Sequence, residues 1–178
     1  MMRLRNAAAA FVMGSFAFTL AVPASAHIVA SPNEAPANGY FRTALRVTHG
    51  CDGAATVAIR VRMPEGVTSV RPQMKPGWEI TISMRALAKP VDSGHGQKIT
   101  ETVDEVTWRG GPLPDSYFDE FGLTMRVSAQ AGSVLYFPTV QECEKGVRNW
   151  TGIPAANQKW GDLPSPAPFL RIQKQRGR

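Results

Sequence analysis

The sequence predicts an all-β fold, and within that class an antiparallel β-sandwich. Short segments alternate apolar and polar residues with a period of two, as half-buried strands do. Turn-forming pairs such as Asn38-Gly39, Asp52-Gly53 and Pro76-Gly77 separate these segments at short intervals. No long segment keeps the period of an amphipathic helix, and this combination is typical of a sandwich.

The first 26 residues have the three parts of a secretory signal peptide. Arg3 and Arg5 form a basic start, an apolar run covers 7–21, and Ala24-Ser25-Ala26 supplies the small residues of a cleavage site. The run is shorter than the roughly 20 residues that span a bilayer. We therefore expect cleavage after Ala26, export to the periplasm and a mature chain that begins at His27.

Cleavage leaves 152 of the 178 residues, which suits one domain. It also removes two arginines, so the formal net charge falls from +6 to +4. This excess lies partly in the last residues, and no basic stripe alternates with aromatic residues. The composition therefore argues against a nucleic-acid partner. The sequence has no second apolar run, so we expect no membrane span after processing.

The strands are predicted from one alternating segment after another. The clearest is 57–63, where Val57, Ile59 and Val61 point one way and arginines the other. A polar stretch at 88–97 is expected at a hairpin tip, and three prolines after 163 disfavour a central strand. We therefore expect a domain over 27–163 and an extended or disordered tail over 164–178. The other predicted strands are 43–48, 79–84, 103–108, 121–127 and 133–137.

The chain has two cysteines, Cys51 and Cys143, and their spacing excludes a CxxC motif. An even pair in an exported protein indicates a structural disulfide. Closing so long a loop stabilises by roughly 4–5 kcal/mol in the chain-entropy model.

His27 carries the chemistry that the sequence suggests most strongly. A histidine at the first position offers its α-amine and its ring Nδ1 to one metal ion, and both are nitrogen donors that favour Cu(II). The alternative is that histidine stands first by coincidence. The other two histidines, His49 and His95, are expected in turns, where solvation or hydrogen bonding is the commoner role. Strand methionines are expected in the core, and no methionine cluster suggests a Cu(I) site.

The sequence resembles the YcnI-like domain family of exported bacterial copper-binding proteins over nearly the whole mature chain. The resemblance rests on the order and spacing of several short motifs, and His49-Gly50-Cys51 with Cys143 is similar to the paired-cysteine branch. The motifs are Ala26-His27-Ile28-Val29, Pro32-Asn33-Glu34, Ala37-Asn38-Gly39-Tyr40, 59–67, Lys75-Pro76-Gly77-Trp78, Val106-Thr107-Trp108, Gly110-Gly111, Phe118-Asp119-Glu120-Phe121, 137–143 and Asn149-Trp150-Thr151-Gly152.

The resemblance implies an immunoglobulin- or cupredoxin-like sandwich with a mono-histidine brace for Cu(II). In such a site the first histidine, here His27, supplies amine and ring nitrogens. The tryptophan of the Trp-Thr-Gly block, here Trp150, lies beside the metal. An acidic residue before the Pro-Gly-Trp turn completes it, but this chain has Gln73 there. An amide is a weaker ligand than a carboxylate, so the role of Gln73 stays open. Trp78, Trp108 and Trp160 are expected to be structural.

Function follows as an expectation: a non-catalytic protein of periplasmic copper handling. The resemblance also implies exchange with a periplasmic copper chaperone or a copper-resistance membrane protein. Two alternatives stay open. One is a copper-dependent oxidative enzyme, which would need a second histidine in the site. The other is a metal-free module that binds another protein.

Overall fold

The computed structural model describes residues 27–93 and 96–175, and the expected signal peptide lies outside these residues. Within them the chain forms twelve strands and one short 3-10 helix at Trp160–Asp162. The strands are β1 (Val29–Ser31), β2 (Glu34–Pro36), β3 (Gly39–Val47), β4 (Thr56–Arg62), β5 (Val67–Pro72), β6 (Trp78–Asp92), β7 (Lys98–Leu113), β8 (Asp119–Val127), β9 (Val134–Tyr136), β10 (Thr139–Cys143), β11 (Val147–Trp150) and β12 (Phe169–Gln173).

Two antiparallel sheets form the body of the sandwich, which confirms the predicted fold class. One sheet has the strand order β1-β3-β8-β5, and the other has the order β11-β10-β4-β7-β6. Sequence-distant strands are neighbours in both sheets, as in the Greek-key connections of sandwiches. The fold therefore brings the first described residues close to segments that come more than 100 positions later.

The core lies between the inward faces of these two sheets. In β4, Ile59 and Val61 are fully buried whereas Arg60 and Arg62 face outward, as the period-two pattern predicts. Across the core the Trp108 ring of β7 meets the Phe121 ring of β8 edge-on, with centroids 5.5 Å apart. Apolar surface buried between the two sheets contributes roughly 25 cal/mol per Å², so this core is the main source of the stability of the fold.

The carboxyl-terminal segment corrects the expected domain boundary at 163. Phe169–Gln173 forms β12, which pairs in parallel with β2 and antiparallel with β9. Leu170 and Ile172 are buried, and they alternate with the exposed Arg171 and Gln173. The segment therefore belongs to the core, because burying these side chains outweighs the bias that the three preceding prolines impose. Those prolines precede the strand and do not interrupt it.

The long β6–β7 hairpin also differs from expectation. The polar stretch 88–97 was expected as a tip loop, yet β6 runs to Asp92 and β7 begins at Lys98, so the turn is shorter. β6 is the edge strand of its sheet, and most of its residues are exposed. Ile82 and Met84 are therefore exposed rather than buried, which corrects the expectation of a core Met84.

The disulfide between Cys51 and Cys143 is present, as predicted. Their Cα atoms lie 5.9 Å apart across 92 residues of sequence, and both residues are buried. The bond ties the loop after β3 to the end of β10. In the part of the chain that the structure describes, no helix has the length and apolarity that crossing a membrane requires.

Candidate metal centre

The ring of His27 lies against two indole rings at one end of the sandwich. Its centroid is 5.7 Å from that of Trp150 and 5.1 Å from that of Trp160, in edge-to-face geometry. A second imidazole, that of His49, meets the same Trp150 ring at 6.1 Å. We refer to these four residues, His27, His49, Trp150 and Trp160, as the histidine–tryptophan cluster.

Strand register explains why these residues meet. Val29 of β1 pairs with Arg46 of β3 in antiparallel register. If this register is continued by two residues, His27 lies opposite Thr48. His49 is the next residue along. On the other sheet, β11 ends at Trp150, which pairs with Thr139 of β10. The cluster therefore forms where the amino end of β1 passes the carboxyl ends of β3 and β11.

A buried glutamine fixes the frame of the cluster. Gln141 is completely buried, and its Oε1 accepts a hydrogen bond from Trp150 Nε1 at 2.9 Å. Its Nε2 donates to the His49 carbonyl oxygen at 2.7 Å and to Thr56 Oγ1 at 2.8 Å. Buried polar groups that are fully paired specify one arrangement of their surroundings. Gln141 thus fixes the indole of Trp150 and the backbone of His49 relative to each other.

Trp160 has its own anchor. It begins the 3-10 helix, and its Nε1 donates to the Ala167 carbonyl oxygen at 2.7 Å. Its ring also meets the Phe169 ring of β12 at 5.5 Å. The strand that was expected to be a tail therefore holds one wall of the cluster in place.

The environment lowers the pKa of His27 below the ordinary histidine value. Desolvation by burial is the larger cause, and the electrostatic influence of His49 is the second. Both effects disfavour the charged imidazolium. The neutral ring is the form that has a lone pair for a metal ion. The cluster therefore favours the metal-binding form of His27.

Gln73 does not join the cluster, which corrects its expected place beside the metal. It follows β5, which is three strands away from β1 in the same sheet. Adjacent strands lie about 4.8 Å apart, so this separation alone is roughly 14 Å. The backbone N–H of Gln73 donates to the Gly122 carbonyl oxygen at 2.8 Å, and the Gln73 side chain lies over the bare Cα of Gly122. Gln73 therefore supports strand pairing between β5 and β8.

The structure places Trp150 against His27, and it brings two further residues to the same place that were assigned other roles. His49 was expected to be a solvated or hydrogen-bonded histidine in a turn, and Trp160 was expected to be structural. Their places depend on pairings between distant strands, which no local motif reveals. The one sequence signal for His49 was its position next to Cys51, at the end of β3.

Among the described residues, no group of three or more histidine, cysteine, aspartate or glutamate side chains converges on one point. The donors of the cluster are therefore nitrogens of His27 and His49, with aromatic walls around them. Imidazole nitrogen suits copper, nickel and zinc, and Cu(II) binds most strongly to such donors. Calcium and magnesium prefer oxygen ligands and do not fit this set.

Fold and site together define an immunoglobulin-like β-sandwich that presents histidine and tryptophan side chains at one end. The family model described as "Domain of unknown function (DUF1775)" matches residues 27–172, and the chain belongs to this family. This is the YcnI-like family that the sequence motifs resemble, so the predicted membership is confirmed. The match ends inside β12, in agreement with the structural boundary.

A solved structure gives the same fold. The chain is similar to an uncharacterized protein from Nocardia farcinica whose crystal structure reveals an immunoglobulin-like fold. The two are 25% identical, with a TM-score of 0.62, over 83% of this chain and 98% of that one. A comparison with curated proteins gave no significant match.

Proposed function

We propose that the protein is a non-catalytic Cu(II)-binding protein of periplasmic copper handling. Cleavage after Ala26 would make His27 the first residue, so that its α-amine and ring Nδ1 chelate one copper ion. The observation that supports this most directly is the position of the His27 ring against Trp150 and Trp160, at the predicted mature end.

Three properties of the cluster favour this role. The lowered pKa of His27 reduces competition between protons and the metal. The indole rings limit the positions open to the imidazole, which lowers the entropy lost when copper binds. The hydrogen bond from Trp150 to buried Gln141 keeps one of these walls in a single orientation.

The location of the site suits exchange of copper with another protein. His27 is only half-buried, whereas Trp150 behind it is 3% exposed. A partner would approach the open side while the buried tryptophan stays in place. We propose a periplasmic copper chaperone or a copper-resistance membrane protein as this partner, with copper as the cargo rather than as a catalytic group.

The test compares two forms of the protein that differ only at the α-amine of His27. Both begin at His27, and in one of them this amine is acetylated. Each is titrated with Cu(II) against a competing chelator, and indole fluorescence reports binding because copper quenches nearby tryptophans. We expect the form with the free amine to bind one Cu(II) and the acetylated form to bind it about a hundredfold more weakly, which is about 2.7 kcal/mol.

Far-UV circular dichroism of both forms serves as the control, and the two spectra should agree. If both forms bind Cu(II) equally well, the amine is not a ligand and the proposed chelate is wrong. If the form with the free amine does not bind Cu(II), the proposed function itself is wrong.

A further inference from the structure

His49 stands in the geometry of a second metal-binding imidazole. The rings of His27 and His49 meet the Trp150 ring edge-on, with interplanar angles of 85° and 71°. One indole therefore packs against both imidazoles.

Hydrogen bonding determines the tautomer of His49. Its Nδ1 lies 2.6 Å from the Gly50 carbonyl oxygen. A carbonyl oxygen only accepts, so Nδ1 carries the proton and the lone pair is on Nε2. Metal-binding histidines commonly donate one ring N–H to a backbone carbonyl and bind through the other nitrogen. His49 already has this arrangement.

The backbone on both sides of the His49 ring is fixed. The His49 carbonyl accepts from Gln141, and the Gly50 amide donates to Asp115 Oδ1 at 2.8 Å. A Cβ at position 50 would lie 1.8 Å from the Ala54 carbonyl oxygen, so glycine alone fits there. Cys51 follows and is held by the disulfide. Only the side-chain torsions of His49 remain to adjust when a ligand binds.

We propose that His49 Nε2 is a third nitrogen ligand of the Cu(II) that the His27 chelate binds. This inference rests on the proposed function and gives the site a second histidine, a feature that the oxidative alternative also needs. A neutral imidazole leaves the full charge of the ion uncompensated, which suits a site that later releases its cargo.

The test begins with the unmutated protein that starts at His27. Pulsed electron paramagnetic resonance of its Cu(II) complex counts coordinated imidazoles through their remote ring nitrogens. We expect the pattern of two imidazoles. In His49→Ala we expect the pattern of one, with Cu(II) affinity lowered about tenfold or more.

His95→Ala is the matched control, because His95 is the remaining histidine and follows β6 in the sequence. It should keep two imidazoles and the original affinity. If the unmutated complex shows one imidazole and His49→Ala binds as tightly as the original, His49 is not a ligand, while the His27 chelate stands. Should His49→Ala fail to fold, the count from the unmutated protein decides alone.

Discussion

Two places in the fold carry residues that the sequence associated with metal binding, and they differ in what they offer an ion. The histidine–tryptophan cluster brings two imidazoles to one indole, on a frame of buried hydrogen bonds and a disulfide. The turn 73–78, in contrast, has an amide packed on Gly122 and an exposed Met74. A ligand set therefore depends on which distant strands are neighbours, more than on which motif a residue belongs to.

Removing the disulfide should have the largest effect and should act on the cluster end. For the double variant Cys51→Ala/Cys143→Ala we expect the free energy of unfolding to fall by about 2–5 kcal/mol, because the loop that carries His49 loses its tie. Urea denaturation measures this. At the turn, Lys75→Met removes the ion pair with Asp119 at 2.6 Å and should cost about 1 kcal/mol or less. Equal losses at both places would contradict the comparison.

Replacing one candidate ligand at each of the two places tests directly which place binds the metal. We expect His27→Ala to weaken Cu(II) binding about a hundredfold, or about 2.7 kcal/mol, because the ring nitrogen of the chelate is lost. Gln73→Ala should leave the affinity unchanged, and Gln73→Glu should not improve it, because that position lies three strands away from β1. Chelator competition measures all three variants. A gain in Gln73→Glu would show that the acidic position acts on the metal after all.

Gln141 tests whether the frame of the cluster matters. Gln141→Leu leaves the Trp150 N–H and the His49 carbonyl without their buried partner. We expect a loss of about 1–3 kcal/mol in the free energy of unfolding. Weaker Cu(II) binding should accompany it. The matched control is Gln158→Leu, an exposed glutamine, whose stability should stay within about 0.5 kcal/mol. An unchanged Gln141→Leu protein would remove Gln141 from this role.

The smallest expected effect is on pH dependence. Because burial and His49 lower the pKa of His27, its ring should titrate below the ordinary value of 6.5 in the metal-free protein. The neutral ring stabilises the fold above the unfolded-state pKa, and this contribution is lost as pH falls through the folded pKa. Nuclear magnetic resonance of the ring protons measures the titration. In His49→Ala the pKa should rise, and a pKa above 6.5 in the original protein would contradict the prediction.

Local patterns predicted the strands well where one face of a strand is buried and the other is not, as in β4 with buried Val61 and exposed Arg62. They predicted burial poorly in β6, because period-two alternation does not reveal that a strand lies at an edge. The strand that contains Leu170 and Ile172 was not predicted, because the prolines just before it indicated an extended or disordered tail. His27 and Trp150 were predicted through motifs, whereas His49 and Trp160 depend on the register of β1 with β3 and on the path before β12.

The positions of the cluster residues along the chain determine when the cluster can form during synthesis. His27 and Trp160 lie about 130 residues apart in the chain. Ribosomes add about 5–20 residues per second, so roughly ten seconds separate the synthesis of the two. A nascent chain therefore exposes His27 long before the indoles that border it exist. The contacts that surround the His27 ring therefore form only after residues 150 and 160 have been synthesised.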